Sequence, residues 1–126
     1  MAKRILVVED DADNRRIVAK VLTGEGYEVI EVATGAEAVA AVHQQRPDLI
    51  LLDIMMPQMS GMEVLDRLRA NPATAGVPVI LVTAKDQDED LLAGYKYGAD
   101  YYITKPFSAK QLLYGIGLVL GTERPD

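Results

Sequence analysis

Cysteine and tryptophan are both missing from this 126-residue chain, and phenylalanine and histidine occur once each. The lack of cysteine excludes disulfides, thiolate nucleophiles and thiolate metal sites. Basic residues are in deficit: 13 Lys and Arg stand against 19 Asp and Glu, giving a net charge of −6 and a pI near 4.7. That balance disfavours direct contact with nucleic acid or with an anionic membrane surface. No apolar run is long enough to cross a bilayer. Met1-Ala2-Lys3-Arg4 leads into a short aliphatic stretch without a signal-peptide core, so the expected location is the cytoplasm. What is present is a globular composition, 49% hydrophobic with a mean hydropathy of +0.05. One domain of this length buries roughly two-thirds of its unfolded surface. It is expected over residues 1–121, with 122–126 as a polar C-terminal tail.

Five short apolar runs read as strands: Arg4 to Val8, Tyr27 to Val32, Leu49 to Leu52, Val79 to Thr83, and Tyr101 to Thr104. Leu49-Ile50-Leu51-Leu52 is aliphatic throughout, the pattern of a strand covered on both faces in a parallel sheet. Helical segments alternate with the strands. The first runs from about Asp13 to Thr23 with Ile17, Val18, Val21 and Leu22 inward, stopped by Gly24 and Gly26. The second opens on a Thr34 to Glu37 capping box and turns Ala38, Val39 and Val42 inward. The third covers about Gly61 to Ala70 with Met62, Leu65 and Leu68 inward. The fourth carries Leu91, Leu92 and Tyr95 and stops at Gly98. The fifth starts from a Ser108 to Gln111 box and buries Leu112, Leu113, Ile116 and Leu120. This alternation specifies an α/β, doubly wound domain on a five-stranded parallel sheet.

Glycine is used oddly in the fifth segment, where Gly115, Gly117 and Gly121 each weaken the helix by up to about 1 kcal/mol. They mark either close approach by a partner or second copy, or a frayed helix on its own sheet. His43, near the end of the second helical segment, reads as a solvated C-terminal residue.

Polar residues gather where the strands end. Glu9, Asp10 and Asp11 follow the first strand, Asp53 closes the third, Thr83 the fourth, and Lys105 follows the fifth. In open α/β sheets that edge holds ligands, at the point where strand order reverses. If the first and third strands are neighbours there, Glu9, Asp10 and Asp53 crowd together, which is unfavourable without a cation. Hard carboxylate oxygens suit Mg²⁺, the usual escort of a phosphoryl group. Lys105 brings positive charge from the opposite side and Thr83 a hydroxyl donor. Such a set can accept a phosphoryl group on a carboxylate, with Asp53 as nucleophile. Taken singly, the acids read as a solvated loop, Thr83 as an ordinary strand end and Lys105 as a surface residue. Their coincidence at four strand ends points to a site.

Four motifs carry a family likeness: Ile5-Leu6-Val7-Val8-Glu9-Asp10, Asp53-Ile54-Met55-Met56-Pro57 with Gly61, Val82-Thr83-Ala84, and Lys105-Pro106-Phe107. In this order, from about Lys3 to Leu120, the chain resembles the receiver domain of two-component response regulators, the CheY-like family. The resemblance implies a flavodoxin-like strand order of 2-1-3-4-5 with helices on both faces. It implies that Asp53 is the phosphoacceptor. Mg²⁺ would be held by Asp10, Asp53 and the backbone carbonyl of Met55, with Glu9 acting largely through metal-bound water. Thr83 and Lys105 would contact the phosphoryl group, and a cis peptide is expected before Pro106. Tyr102 would be the switch aromatic that fills the space Thr83 leaves. Glu9 stands where many members have Asp, which should retune metal affinity without abolishing it. Asp11 is a further carboxylate, read as the solvated start of the first helix.

The implied donor is a histidine kinase phosphohistidine or a phosphotransfer protein. The implied output is a downstream effector met through the face of the fourth helical segment, fifth strand and fifth helical segment, with a phosphorylation-dependent dimer as a further expectation. Such a domain is not an enzyme in the usual sense, since it catalyses only its own phosphotransfer and slow dephosphorylation. A haloacid-dehalogenase-type phosphatase would need an acid two residues after its nucleophile, and that position is Met55. Met55 and Lys85 flank the water's approach without supplying a base, which predicts slow loss of the phosphoryl group. A flavin protein of the same topology would want glycines and hydroxyls in the first loop, not acids. Two alternatives remain: an unphosphorylated receiver-like scaffold, and a receiver excised from a multidomain regulator. Neither direct nucleic-acid contact nor membrane association is expected of these residues, and transcriptional output would need sequence outside them.

Overall fold

A computed structural model describes residues 2–84 and 98–121. It contains strands β1 (Arg4–Val8), β2 (Glu28–Val32), β3 (Leu49–Asp53), β4 (Val79–Ala84) and β5 (Tyr101–Lys105). All four neighbouring pairs are parallel, and the sheet order is β2-β1-β3-β4-β5. The helices are α1 (Ala12–Gly24), α2 (Gly35–Gln44), α3 (Gly61–Ala70) and α4 (Ala109–Leu120). The segment expected around Leu91, Leu92 and Tyr95 lies outside the described residues, as do Lys85 and the tail 122–126; α4 is the fifth helical segment of the sequence.

The period of two along the strands divides the core into two layers. Leu6, Val8, Ile50, Leu52 and Leu81 face α2 and α3, where Ala38, Val42, Val64, Leu65 and Leu68 close the layer. Ile5, Val7, Leu51, Ile80 and Val82 face α1 and α4, meeting Val18, Leu22, Leu112 and Ile116. Most of these side chains are wholly buried, and each contributes about 1.5–3 kcal/mol. Because the chain leaves β1 toward one face and β3 toward the other, the carboxyl edge between those two strands is left open. That gap is the topological switch point of the sheet.

Local signals set the helix starts. Asp11, expected as the solvated start of the first helix, is exposed there and also caps α1 by accepting from the Asp13 and Asn14 amides. The Ser108–Gln111 box is complete. The Thr34–Glu37 box is altered: Thr34 accepts from the Glu37 amide, but the Glu37 carboxylate accepts from Ala33, one residue before the cap. Ile17 departs from the expected inner face of α1 and is 62% exposed, because Val18 and Leu22 already fill the contact with the sheet. Gly115 is explained inside the chain, since a Cβ there would lie 2.8 Å from the Tyr101 ring. Its neighbour Gly117 is buried, and Gly121 ends α4 in a left-handed conformation with φ 72°.

At the opposite edge of the sheet Arg69 acts as a clamp the sequence does not advertise. Its guanidinium donates to the carbonyls of Ala75, Val77 and Gly98 and pairs with Asp100 at 3.1 Å. The same Asp100 oxygen accepts from the Val79 amide at 2.8 Å. One side chain of α3 thus ties down the starts of both β4 and β5.

Candidate functional site

Glu9 is the first residue beyond β1 and Asp53 the last of β3, and both are buried, at 7% and 4% exposure. Two carboxylates so sheltered need a counter-charge. Lys105 supplies it from the end of β5: its ammonium lies 3.0 Å from Glu9 Oε1 and 3.0 Å from Asp53 Oδ2. The other Asp53 oxygen, Oδ1, accepts from the Met55 amide at 3.0 Å. Glu9 is held on every side. Its amide donates to Val32 O, its Oε2 accepts from the Asp11 amide, and its carbonyl accepts from the Arg15 guanidinium at 2.8 Å.

Asp10 is exposed, yet one carboxylate oxygen from each of Glu9, Asp10 and Asp53 can lie within 4.8 Å of the others. Its carboxyl is raised above the ordinary 3.8, first by desolvation and then by the hydrogen bond to Glu9 and the charge of Glu9. Its own backbone hydrogen bond and the charge of Lys105 pull the other way. Desolvation works against the Lys105 charge, but its hydrogen bonds to Asp53 and Glu9 outweigh it and raise the ammonium above 10.5. Three carboxylates against one ammonium leave two formal negative charges. An all-oxygen donor set with that residual charge fits a hard divalent cation such as Mg²⁺.

Thr83 is buried in β4, one residue past Val82, the register partner of Asp53. Leu81 pairs with Tyr102 and Thr83 with Thr104, so Tyr102 and Thr83 point to the same sheet face as diagonal neighbours. Tyr102 is partly buried against the layer under α2 and α3. The Lys105–Pro106 peptide is cis. Met55 is 59% exposed beside Asp53. A cleft lined by Asn14, Ile17, Val18, Pro106 and Phe107 opens next to Glu9 and Lys105.

Three residues matter more than their types suggest. Asp11 supplies both a helix cap and an amide to Glu9. Arg15 reaches back from α1 to the Glu9 carbonyl. Gly61 lets α3 start directly against the phosphoacceptor candidate's main chain, since a Cβ there would fall 2.7 Å from Ile54 Cα and on the carbonyl of Asp53. For Gly61 the sequence offers its helix-start position as a signal; for Arg15 it offers none.

A doubly wound parallel sheet carrying three carboxylates and a lysine at its carboxyl switch point is the arrangement of a CheY-like signalling domain. The chain belongs to the response regulator receiver domain family, whose model matches residues 5–116. It is 45% identical over 113 residues to the DNA-binding response regulator MtrA of Mycobacterium tuberculosis, covering 90% of this chain and 48% of that protein. The chain therefore spans about half the length of the curated relatives it matches. Among solved structures it is similar to the chemotaxis response regulator CheY4 of Vibrio cholerae, with a TM-score of 0.89 at 31% identity over 94% of this chain and 99% of that one. A CheY-like receiver domain protein from Methanospirillum hungatei gives a TM-score of 0.89 at 35% identity, over 96% of this chain and 95% of that one. The flavodoxin-like order expected from the sequence is the order found. Receiver domains of two-component systems are regulatory signalling domains, not classical enzymes. No helix among the described residues is long and apolar enough to cross a membrane.

Proposed function

We propose that this domain, over residues 1–121, is a phosphorylation-dependent switch whose phosphoacceptor is Asp53. The observation that carries the reading is the shared Lys105 ammonium, 3.0 Å from both Glu9 and Asp53, over a cluster of three carboxylates. In the transfer, an Asp53 carboxylate oxygen forms a bond to phosphorus as the bond to a kinase histidine nitrogen, or to a small phosphodonor, breaks. The leaving group, imidazole from the kinase or acetate from acetyl phosphate, keeps the electron pair. The Met55 amide orients Asp53, and Lys105 exchanges its contact with the Asp53 oxygen for one with the incoming phosphoryl oxygens. Glu9, Asp10, Asp53 and the Met55 carbonyl would hold Mg²⁺, which would supply positive charge to offset that of the phosphoryl group. The Thr83 hydroxyl donates to a phosphoryl oxygen, and Tyr102 responds to its movement across the same sheet face.

In this scheme the phosphorylated state makes contacts the free state lacks, and that difference biases a two-state equilibrium. The donor is a histidine kinase or phosphotransfer protein. The output is binding of a downstream effector, or of a second copy, through the β5 and α4 face, and the setting is the cytoplasm. Exposed Tyr114 and Leu118 on α4 support that face as the docking surface. Mass spectrometry of the intact protein after acetyl phosphate and Mg²⁺ tests the reading. One added phosphoryl group is expected in the parent and none in Asp53→Asn; labelling of the variant, or of neither protein, overturns it.

A further inference from the structure

We propose that Arg15 is the positioning residue of the acidic cluster, a role that rests on reading the cluster as an Mg²⁺ site. Arg15 and Arg16 are adjacent in α1 but lead different lives. Arg16 is 75% exposed and meets Asp13 only at 3.9 Å. Arg15 is 19% exposed, donates from Nη1 to the Glu9 carbonyl at 2.8 Å, and sets Nε 3.5 Å from Glu31 Oε1 on β2. A guanidinium can hold two acceptors in fixed relation because its donors form a rigid planar fork. Here the fork spans the end of β1 and the edge strand beside it.

The Glu9 carbonyl is the informative acceptor. It shares a rigid peptide plane with the Asp10 nitrogen, so fixing that oxygen fixes where the Asp10 side chain begins. Glu9 itself is pinned at its amide by Val32 and at its carboxylate by Asp11 and Lys105. The peptide between Glu9 and Asp10 is the element on which the convergence of the two carboxylates depends, and Arg15 is what fastens it. Groups that orient metal ligands without touching the metal commonly set its affinity.

The test is calorimetric titration of Mg²⁺ into the unphosphorylated full chain, with melting temperatures measured alongside. Arg4→Ala serves as the control, because Arg4 joins β1 to Glu28 of β2 at 3.0 Å at the far ends of the same strands. Arg15→Ala is expected to weaken Mg²⁺ binding about tenfold. Arg4→Ala should leave the affinity unchanged even where it lowers the melting temperature as much, and Arg15→Lys should recover part of the loss. Parent-like Mg²⁺ affinity in Arg15→Ala, or an equal loss in Arg4→Ala, overturns the proposal. Should Arg15→Ala fail to fold, Glu31→Gln, which removes the anchoring charge on β2, must still weaken Mg²⁺ binding; unchanged affinity there overturns it too. A parent protein that takes up no Mg²⁺ overturns the site reading and this proposal together.

Discussion

Lys105 decides whether the cluster can exist without a metal. Among the described residues it is the one cation bonded to both the Glu9 and the Asp53 carboxylates, and its ammonium is raised above 10.5 because those bonds outweigh desolvation. A group raised in the folded state stabilises it below its unfolded pKa, so this contribution is intact at neutral pH and fades only in strong alkali. Lys105→Ala leaves two buried carboxylates uncompensated and should cost about 1–2 kcal/mol at neutral pH after allowing for solvent screening. Chemical denaturation checks it, and added Mg²⁺ should restore part of the loss. Asp10 is raised as well, and there the shift bears on metal binding. Its carboxyl is raised above 3.8, so protons compete with Mg²⁺ at a higher pH than an ordinary carboxylate would allow. Mg²⁺ affinity should therefore fall as the solution is acidified, and Asp10→Asn should both weaken binding and flatten that dependence in a calorimetric pH series. The acids, Thr83 and Lys105 were legible as residues because each ends an apolar run. The hold of Arg15 on Glu9 was not, since an arginine in a helix has the same sequence appearance whether it faces solvent or a carbonyl.

Among the elements, α4 shows how tertiary contact reverses a local preference. Helix propensity alone predicts that Gly115→Ala stabilises α4 by up to about 1 kcal/mol. The Tyr101 ring, 2.8 Å from where a Cβ would sit, and the Ile103 side chain at 3.3 Å predict the reverse. The substitution should destabilise the protein by about 1–3 kcal/mol, the usual cost of overpacking, with the loss read from the urea midpoint. Of the two readings of this glycine, packing on its own sheet is the one the Tyr101 contact supports, in a helix that runs unbroken to Leu120. Helix α1 makes the complementary point. Its apolar residues Ile17, Val18, Val21 and Leu22 span more arc than one sheet face covers, so Ile17 is left facing the cleft beside Pro106 and Phe107.

On the scale of the molecule, the two core layers hold the strands rigid while the chemistry sits on their tips. Under the proposed function, output depends on what the domain meets once Asp53 carries a phosphoryl group. Tyr114 and Leu118, four residues apart on α4 and 51% and 42% exposed, form an apolar stripe on the proposed output face. Light scattering after treatment with acetyl phosphate and Mg²⁺ should show a rise in mass toward a dimer that Tyr114→Ala abolishes without blocking phosphorylation. A phosphorylated parent of monomeric mass would exclude the second copy as the occupant of that face.

The sequence by itself determined the strands, the doubly wound class and the acidic, hydroxyl and ammonium groups at the strand ends, because period-two and helical apolar patterns are local properties of the chain. Tertiary structure alone decided how those groups share one another: that Lys105 divides itself between Glu9 and Asp53, that Arg15 fastens the Glu9 carbonyl, and that Gly61 and Gly115 are steric necessities. The Lys105 and Gly115 contacts join separate elements of the chain, the Arg15 contact is a direction a side chain takes, and the closeness of Gly61 to β3 is set when α3 packs. The helix-start position of Gly61 hints at its role, but the contact distances themselves are not written in any local pattern.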